Sequence, residues 1–254
     1  MAKLVSIVNQ KGGVGKTTSA VNLAAALGAL GKKVLLVDID PQGNTTSGYG
    51  ISRKNLTATS YEILIGSATA GEAVIKTKFE GVDIIPSNMN LAGAELELAV
   101  MEKREALLKN ALATVQESYD FIFFDCPPSL GLITLNALTA SDSFIVPIQC
   151  EYYALEGLSQ LMATVRTVKR LYNPLIELEG VLLTMYDGRL NLTQQVVNEV
   201  KNFFPKKVYA TVIPRNVRLS EAPSFGEPAL YYDRGSKGAE SYNALAEEFL
   251  SFQK

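Results

Sequence analysis

Eight consecutive residues combine a pliable backbone, positive charge and hydroxyl groups: Lys11, Gly12, Gly13, Val14, Gly15, Lys16, Thr17 and Thr18. Glycines let the chain curl so that successive N–H groups point inward at an oxyanion. In such a loop Lys16 reaches the β- and γ-phosphates of a nucleotide, and the Thr17 hydroxyl ligates Mg²⁺. A helix starting here adds the positive end of its dipole. Glycine is about 7% of residues in general, so GGxGKT recurs by chance on the order of once in a million start sites. The match to the general phosphate loop is incomplete: that pattern has a glycine where this chain has Gln10. A second lysine, Lys11, stands inside the loop instead.

Carboxylates follow at two further places. The run KVLLVDIDPQGN puts Asp38 and Asp40 at the C-terminal end of an apolar stretch. The run FIFFDCPPSLG puts Asp125 behind four apolar residues, the pattern of a carboxylate that holds Mg²⁺ through water. Ligands of open α/β sheets sit at the carboxyl ends of strands, where all three fall. The chain has no histidine, which excludes His-based acid/base chemistry and His metal sites.

These groups need strands to carry them. Residues 4–9, 33–38, 82–86, 121–125, 144–148, 180–184 and 208–213 read as strands, several of them apolar at successive positions. Such runs suit strands covered on both faces, the mark of a parallel sheet. Helical spacing covers 16–30, 91–116, 131–139, 155–171, 192–204 and 239–252. The alternation predicts an α/β fold with a doubly wound, mostly parallel sheet and helices on both faces. One domain over residues 1–254 is the simplest organisation, with short surface helices in the irregular stretch 43–81.

Composition sets the outer bounds. Of 254 residues, 47% are apolar and 20% charged, ordinary for a globular protein able to bury a large core. Two cysteines, Cys126 and Cys150, make no disulfide framework and fit a reducing cytosol. No signal peptide and no membrane span is expected. The net charge of −2 predicts no global attraction to nucleic acid. Locally, residues 189–218 carry six basic side chains (Arg189, Lys201, Lys206, Lys207, Arg215 and Arg218) against Glu199 alone. Concentrated positive charge of this kind binds phosphate backbones by counterion release.

The loop KGG-x-GK-(S/T)-T resembles the deviant Walker A ATPases, a P-loop group that includes partitioning ParA proteins, division-site MinD proteins and nitrogenase iron proteins. The segments QKGGVGKTT, LLVDIDPQGN, FDCPPSLG, ALTASD, PIQCEYYALEG, GVLLTMYDGR and VIPRNVRLSEAPSFGEP narrow the resemblance to the chromosome-partitioning ParA/Soj type over nearly the whole chain. The resemblance implies a Mg²⁺-dependent ATP hydrolase whose ATP-bound homodimer binds double-stranded DNA without sequence preference. By the same resemblance, a centromere-binding ParB-type partner would stimulate hydrolysis and release the dimer. The protein would be cytoplasmic, and nucleoid-associated when ATP-bound. Residue by residue, Lys11 would cross to the partner subunit's nucleotide and Lys16 would bind phosphate. Asp40 would orient or deprotonate the attacking water, and Asp38 would support the metal region beside Thr17 and Asp125. Pro214 and Asn216 of IPRN would contact adenine, and Arg189 and Arg218 would contact DNA.

Three alternatives stay open at this level. A MinD-like membrane-associated ATPase needs a basic amphipathic C-terminal helix, whereas this tail carries Glu240, Glu247 and Glu248. An iron–sulfur reductase could hold a cluster between Cys126 or Cys150 of two subunits, although neither cysteine matches that branch's local motifs. A plasmid rather than chromosomal role is compatible with the motifs. The early phosphate loop argues only against an added N-terminal DNA-binding domain.

Overall fold

The computed structural model describes residues 1–151 and 154–253. Its strands are β1 (Lys3–Ile7), β2 (Val34–Asp38), β3 (Ile75–Lys76), β4 (Val82–Ile85), β5 (Phe121–Asp125), β6 (Ser143–Gln149) and β7 (Glu177–Thr184). They form one sheet in the order β3-β4-β2-β5-β1-β6-β7. All neighbouring pairs are parallel except β3 with β4. The helices are α1 (Lys16–Ala29), α2 (Asn44–Gly48), α3 (Ser60–Ile65), α4 (Ala70–Ala73), α5 (Leu91–Leu98), α6 (Leu107–Leu112), α7 (Leu132–Ala140), α8 (Ala154–Leu171), α9 (Asn191–Phe203), α10 (Val217–Glu221), α11 (Ala229–Tyr232) and α12 (Lys237–Ser251). The expected doubly wound, mostly parallel α/β fold is present.

The continuous apolar strands are explained by two cores, one on each side of the sheet. Successive strand side chains alternate faces. Leu35, Val37, Ile122 and Phe124 join one core with side chains from α3, α5 to α9. Val34, Leu36, Phe121 and Phe123 join the other, with α1 and α12. The apolar positions of α12, Tyr242, Leu245, Ala246 and Phe249, are buried there. Among the described residues, no helix is long and apolar enough to cross a membrane.

Two expected elements differ. Residues 208–213 lie beside β7 but form no regular strand among the described residues: one isolated bridge joins Val208 to Val181, and a second, just past both segments, joins Pro214 to Tyr186. Glu248 of α12 explains the interruption: its carboxylate accepts from Ala210 N at 2.6 Å and Thr211 N at 2.9 Å. Those N–H groups are therefore taken by a side chain rather than by a strand ladder. The expected helix over 91–116 is broken into α5 and α6. Lys103 takes a left-handed conformation (φ 51°), and Asn136 holds the break by donating to Arg104 O at 2.7 Å and accepting from Leu108 N at 3.2 Å. The short helices expected within 43–81 are α2, α3 and α4. Tyr152 and Tyr153 of the PIQCEYYALEG segment lie outside the described residues.

Candidate nucleotide site

The loop between β1 and α1 is held in shape by its neighbours. Asn9 donates to Pro147 O at 2.8 Å and accepts from Lys11 N at 3.0 Å. The Thr184 hydroxyl donates to Val14 O at 2.9 Å, tying the loop to the end of β7. Gly13 and Gly15 take φ of 73° and 87°, which a side chain would strain. Gly15 caps α1 with no side-chain bond. The first N–H groups of α1 therefore have no side-chain cap, and such groups bind anions. Lys16 is buried, and its ammonium reaches back to Lys11 O at 3.1 Å. Burial pulls that ammonium below the usual lysine value, while Asp125 and Asp40 oppose the shift.

Parallel pairing brings the carboxylates together. Asp38 stands opposite Asp125 in the β2–β5 register, and Ile7 stands opposite Asp125 in the β1–β5 register. Paired residues of parallel neighbours face the same side, so two acids meet inside the fold. Burial, then the Asp125 charge, raises the Asp38 carboxyl to about 8. Burial raises Asp125 to about 6, opposed by the Thr45 hydroxyl, the Thr17 side chain and Lys16. Asp38 is fully occupied: Oδ2 accepts from Thr46 N at 2.8 Å and Thr46 Oγ1 at 2.7 Å, and Oδ1 accepts from Asp40 N at 3.2 Å. Asp125 Oδ2 accepts from Thr45 Oγ1 at 2.7 Å, whereas Oδ1 is buried with no hydrogen-bond partner among the described residues. A buried oxygen left so is costly, and a hydrated cation would satisfy it. The donor set of one hydroxyl and one carboxylate suits Mg²⁺, which binds through few protein oxygens plus phosphates and water. Among the described residues no cluster of three or more His, Cys, Asp or Glu forms a protein-only metal cage. Asp40 is buried next to this pair, with Oδ1 accepting from Gln42 N at 2.9 Å.

A cavity of about 270 Å³ opens beside the loop, lined by Gly15, Thr18, Thr184, Met185, Pro214 and Asn216 among others. Pro214 reaches it because Tyr186 N bonds Ile213 O at 3.0 Å, which carries IPRN alongside the end of β7. Asn216 Oδ1 accepts from Arg218 N at 2.9 Å and caps α10. The acceptor of that side chain is thus committed. Phosphate loop, carboxylates and cavity run continuously along the C-terminal edge of the sheet, as a nucleotide requires.

Comparison with known proteins agrees. The family described as AAA domain matches residues 2–178. The sporulation initiation inhibitor protein Soj of Bacillus subtilis is 58% identical over 248 residues, covering 98% of each chain. The chain belongs to the ParA/Soj family of chromosome-partitioning ATPases. The chromosome partitioning protein ParA of Myxococcus xanthus is 52% identical over 98% of this chain and 88% of its own. The structure of cobyrinic acid a,c-diamide synthase from Mycobacterium smegmatis with bound ATP analogue and magnesium superposes with a TM-score of 0.85. It is 38% identical over 97% of this chain and 93% of that one. This ParA/Soj protein is an ATP hydrolase, and ATP and Mg²⁺ are its cofactors.

The remaining expected residues of this ParA/Soj chain lie outside the buried centre, each beside an acid. Lys11 Nζ pairs with Glu151 Oε2 at 2.9 Å, just past β6. Arg189 and Arg218 stand on the two neighbouring segments that Tyr186 and Ile213 join. Arg215, exposed and close enough to lower the Asp187 carboxyl, belongs to the same cluster. Lys201, Lys206 and Lys207 are exposed. Thr45, Thr46, Thr184 and Glu151 are not singled out by residue type or spacing, although Thr184 and Glu151 fall inside recognisable segments. Their partners become visible only in the fold, where Thr45 meets Asp125, Thr184 meets Val14 and Glu151 meets Lys11 across long stretches of sequence.

Proposed function

We propose that the chain is a single-domain ATP-driven switch in chromosome or plasmid partitioning, whose ATP-bound homodimer binds double-stranded DNA without sequence preference. The observation that carries this reading is the position of Lys11. Lys16 is buried within its own loop, but Lys11 is partly exposed, and among the described residues its ammonium is held by the exposed carboxylate of Glu151 alone. A cation so placed is available to the nucleotide of a second subunit. Completing the site with a second copy couples ATP to dimerisation.

Within the site, the loop N–H groups and Lys16 bind the phosphates. Thr17 and Asp125 hold Mg²⁺, which neutralises charge on the phosphate oxygens. Asp38, tied to Thr46, supports that region from behind. Asp40 orients or deprotonates the attacking water for in-line displacement, while Lys16 and Lys11 offset charge on the γ-phosphate. Pro214 and Asn216 receive the adenine. Arg189 and Arg218 from both subunits make one phosphate-binding surface, doubled by dimerisation. A ParB-type partner then stimulates hydrolysis and releases the dimer from the nucleoid.

DNA binding measured with ATP, with ADP and without nucleotide tests the switch. Binding is expected with ATP and Mg²⁺ only, and equal binding in all three states would sink it.

A further inference from the structure

Both arginines assigned to the DNA surface already hold an anion. Arg189 Nε and Nη2 donate to Asp187 Oδ1 and Oδ2 at 2.8 and 2.6 Å, a two-pronged pairing that fills the guanidinium fork. Arg189 N also donates to Asp187 Oδ1 at 3.1 Å. Arg218 Nη1 pairs with Glu221 Oε2 at 2.7 Å and Nε with Asp233 Oδ2 at 3.1 Å. A guanidinium presents the same fork to a carboxylate and to a phosphate, so the two anions compete for it. The pairs are open to solvent: 88% of the Arg189 side chain is exposed, and 46% of Arg218. They can exchange without unfolding anything. Arg215 has no such partner among the described residues, and its charge also acts on Asp187.

We propose that Asp187, together with Glu221 and Asp233, acts as a built-in competitor for DNA phosphate that keeps Arg189 and Arg218 closed in the free subunit. The inference rests on the reading that these two arginines meet DNA. Each arginine must exchange a carboxylate for a phosphate, so a lone subunit gains little from contact. In a dimer the first subunit's contact places the second close to the same duplex, and the effective phosphate concentration there drives the exchange. The acids thereby set how strongly DNA binding depends on dimerisation.

Asp187→Asn tests this in the full-length protein. The asparagine carbonyl keeps the bond from Arg189 N and removes the charge. Binding is read by anisotropy of a short fluorescent duplex of mixed sequence, with ATP and Mg²⁺, across a salt series. Exposed pairs of this kind are worth up to about fivefold each, and a dimer carries two copies. Affinity should rise about three- to tenfold, and the slope of log K against log salt should steepen by up to about 0.9 per subunit. Glu221→Gln should act in the same direction through Arg218. Glu102→Gln, an exposed acid on the loop between α5 and α6, makes the same change in net charge and should stay within about twofold of wild type.

If Arg189→Ala weakens binding while Asp187→Asn leaves affinity and slope unchanged, or lowers affinity, the competitor role is overturned and the DNA surface stands. An equal gain from Glu102→Gln would also overturn it, by reducing the effect to general charge. If Arg189→Ala binds like wild type, the assignment of Arg189 to DNA is what fails.

Discussion

Thr46→Val probes the buried acid pair without touching substrate. The Thr46 hydroxyl donates to Asp38 Oδ2 at 2.7 Å and accepts from Ser87 N at 2.9 Å, and all three residues are fully buried. Valine has nearly the same shape, so little packing is lost. Ser87 N–H is left unsatisfied, at about 1–3 kcal/mol. Loss of the bond to the Asp38 carboxyl adds roughly 0.5–1.5 kcal/mol if that group is protonated, and more if it is charged. A chain of this size loses about 2–4 °C of melting temperature per kcal/mol, so nucleotide-free Thr46→Val should melt about 3–18 °C lower. The pH dependence follows from the same contacts. The folded Asp38 lies at about 8, above its unfolded value near 3.9. Between those values the folded state holds a proton that the unfolded chain does not, so stability falls as pH rises, by up to about 1.4 kcal/mol per unit for one group. Both bonds from Thr46 pull the Asp38 value down, and removing the hydroxyl pushes it further up. The decline should therefore extend to higher pH in the variant. Melting from pH 5 to 9 by circular dichroism reads both effects, and Thr46→Ser should restore most of the stability. A shift under about 1 °C with an unchanged pH profile would refute the reasoning.

Two further substitutions separate shape from chemistry at the loop. Gly15→Ala forces a side chain onto φ 87°, which costs about 1–2 kcal/mol. ATP affinity measured by calorimetry should fall about five- to thirtyfold, and wild-type affinity would show that the loop relaxes freely. Asp125→Asn removes a buried acid that burial raises to about 6, so the nucleotide-free protein should be at least as stable as wild type above that pH. Mg²⁺-dependent hydrolysis should nevertheless fall at least about a hundredfold in a phosphate-release assay. Retained turnover would remove Asp125 from the metal site.

What could be read directly from the sequence was local or strictly periodic. The phosphate loop is eight contiguous residues, and its chemistry follows from their types. β2 and β5 were legible because burial on both faces makes every position apolar. Residues 208–213 show the limit of that logic. Val208 and Ile213 are apolar because they are covered, and coverage alone does not say where the backbone N–H groups go. A glutamate in the last helix decides that. The break between α5 and α6 depends in the same way on Asn136, in another helix. Within the site, Asp38 and Asp125 were visible as strand-end acids, but their pairing is a fact of register between β2 and β5. Thr45 and Thr46 look like ordinary helix-start residues. Glu151, Asp187 and Glu221 lie inside recognisable segments, but nothing in those segments pairs them with Lys11, Arg189 and Arg218, and their effect exists only once the partners are side by side.

The interrupted segment beside β7 bears on behaviour in crowded solution. A sheet ending in a long regular strand offers a row of unpaired N–H and C=O groups on which another chain can build, the usual start of edge-to-edge aggregation. Here β7 is overlaid by a segment whose ladder is broken, and the N–H groups of Ala210 and Thr211 are already consumed by Glu248. The opposite border is the two-residue β3, which bears a lysine. Neither margin provides a template of useful length. Many copies can gather at high local concentration without either border of the sheet seeding edge-to-edge pairing.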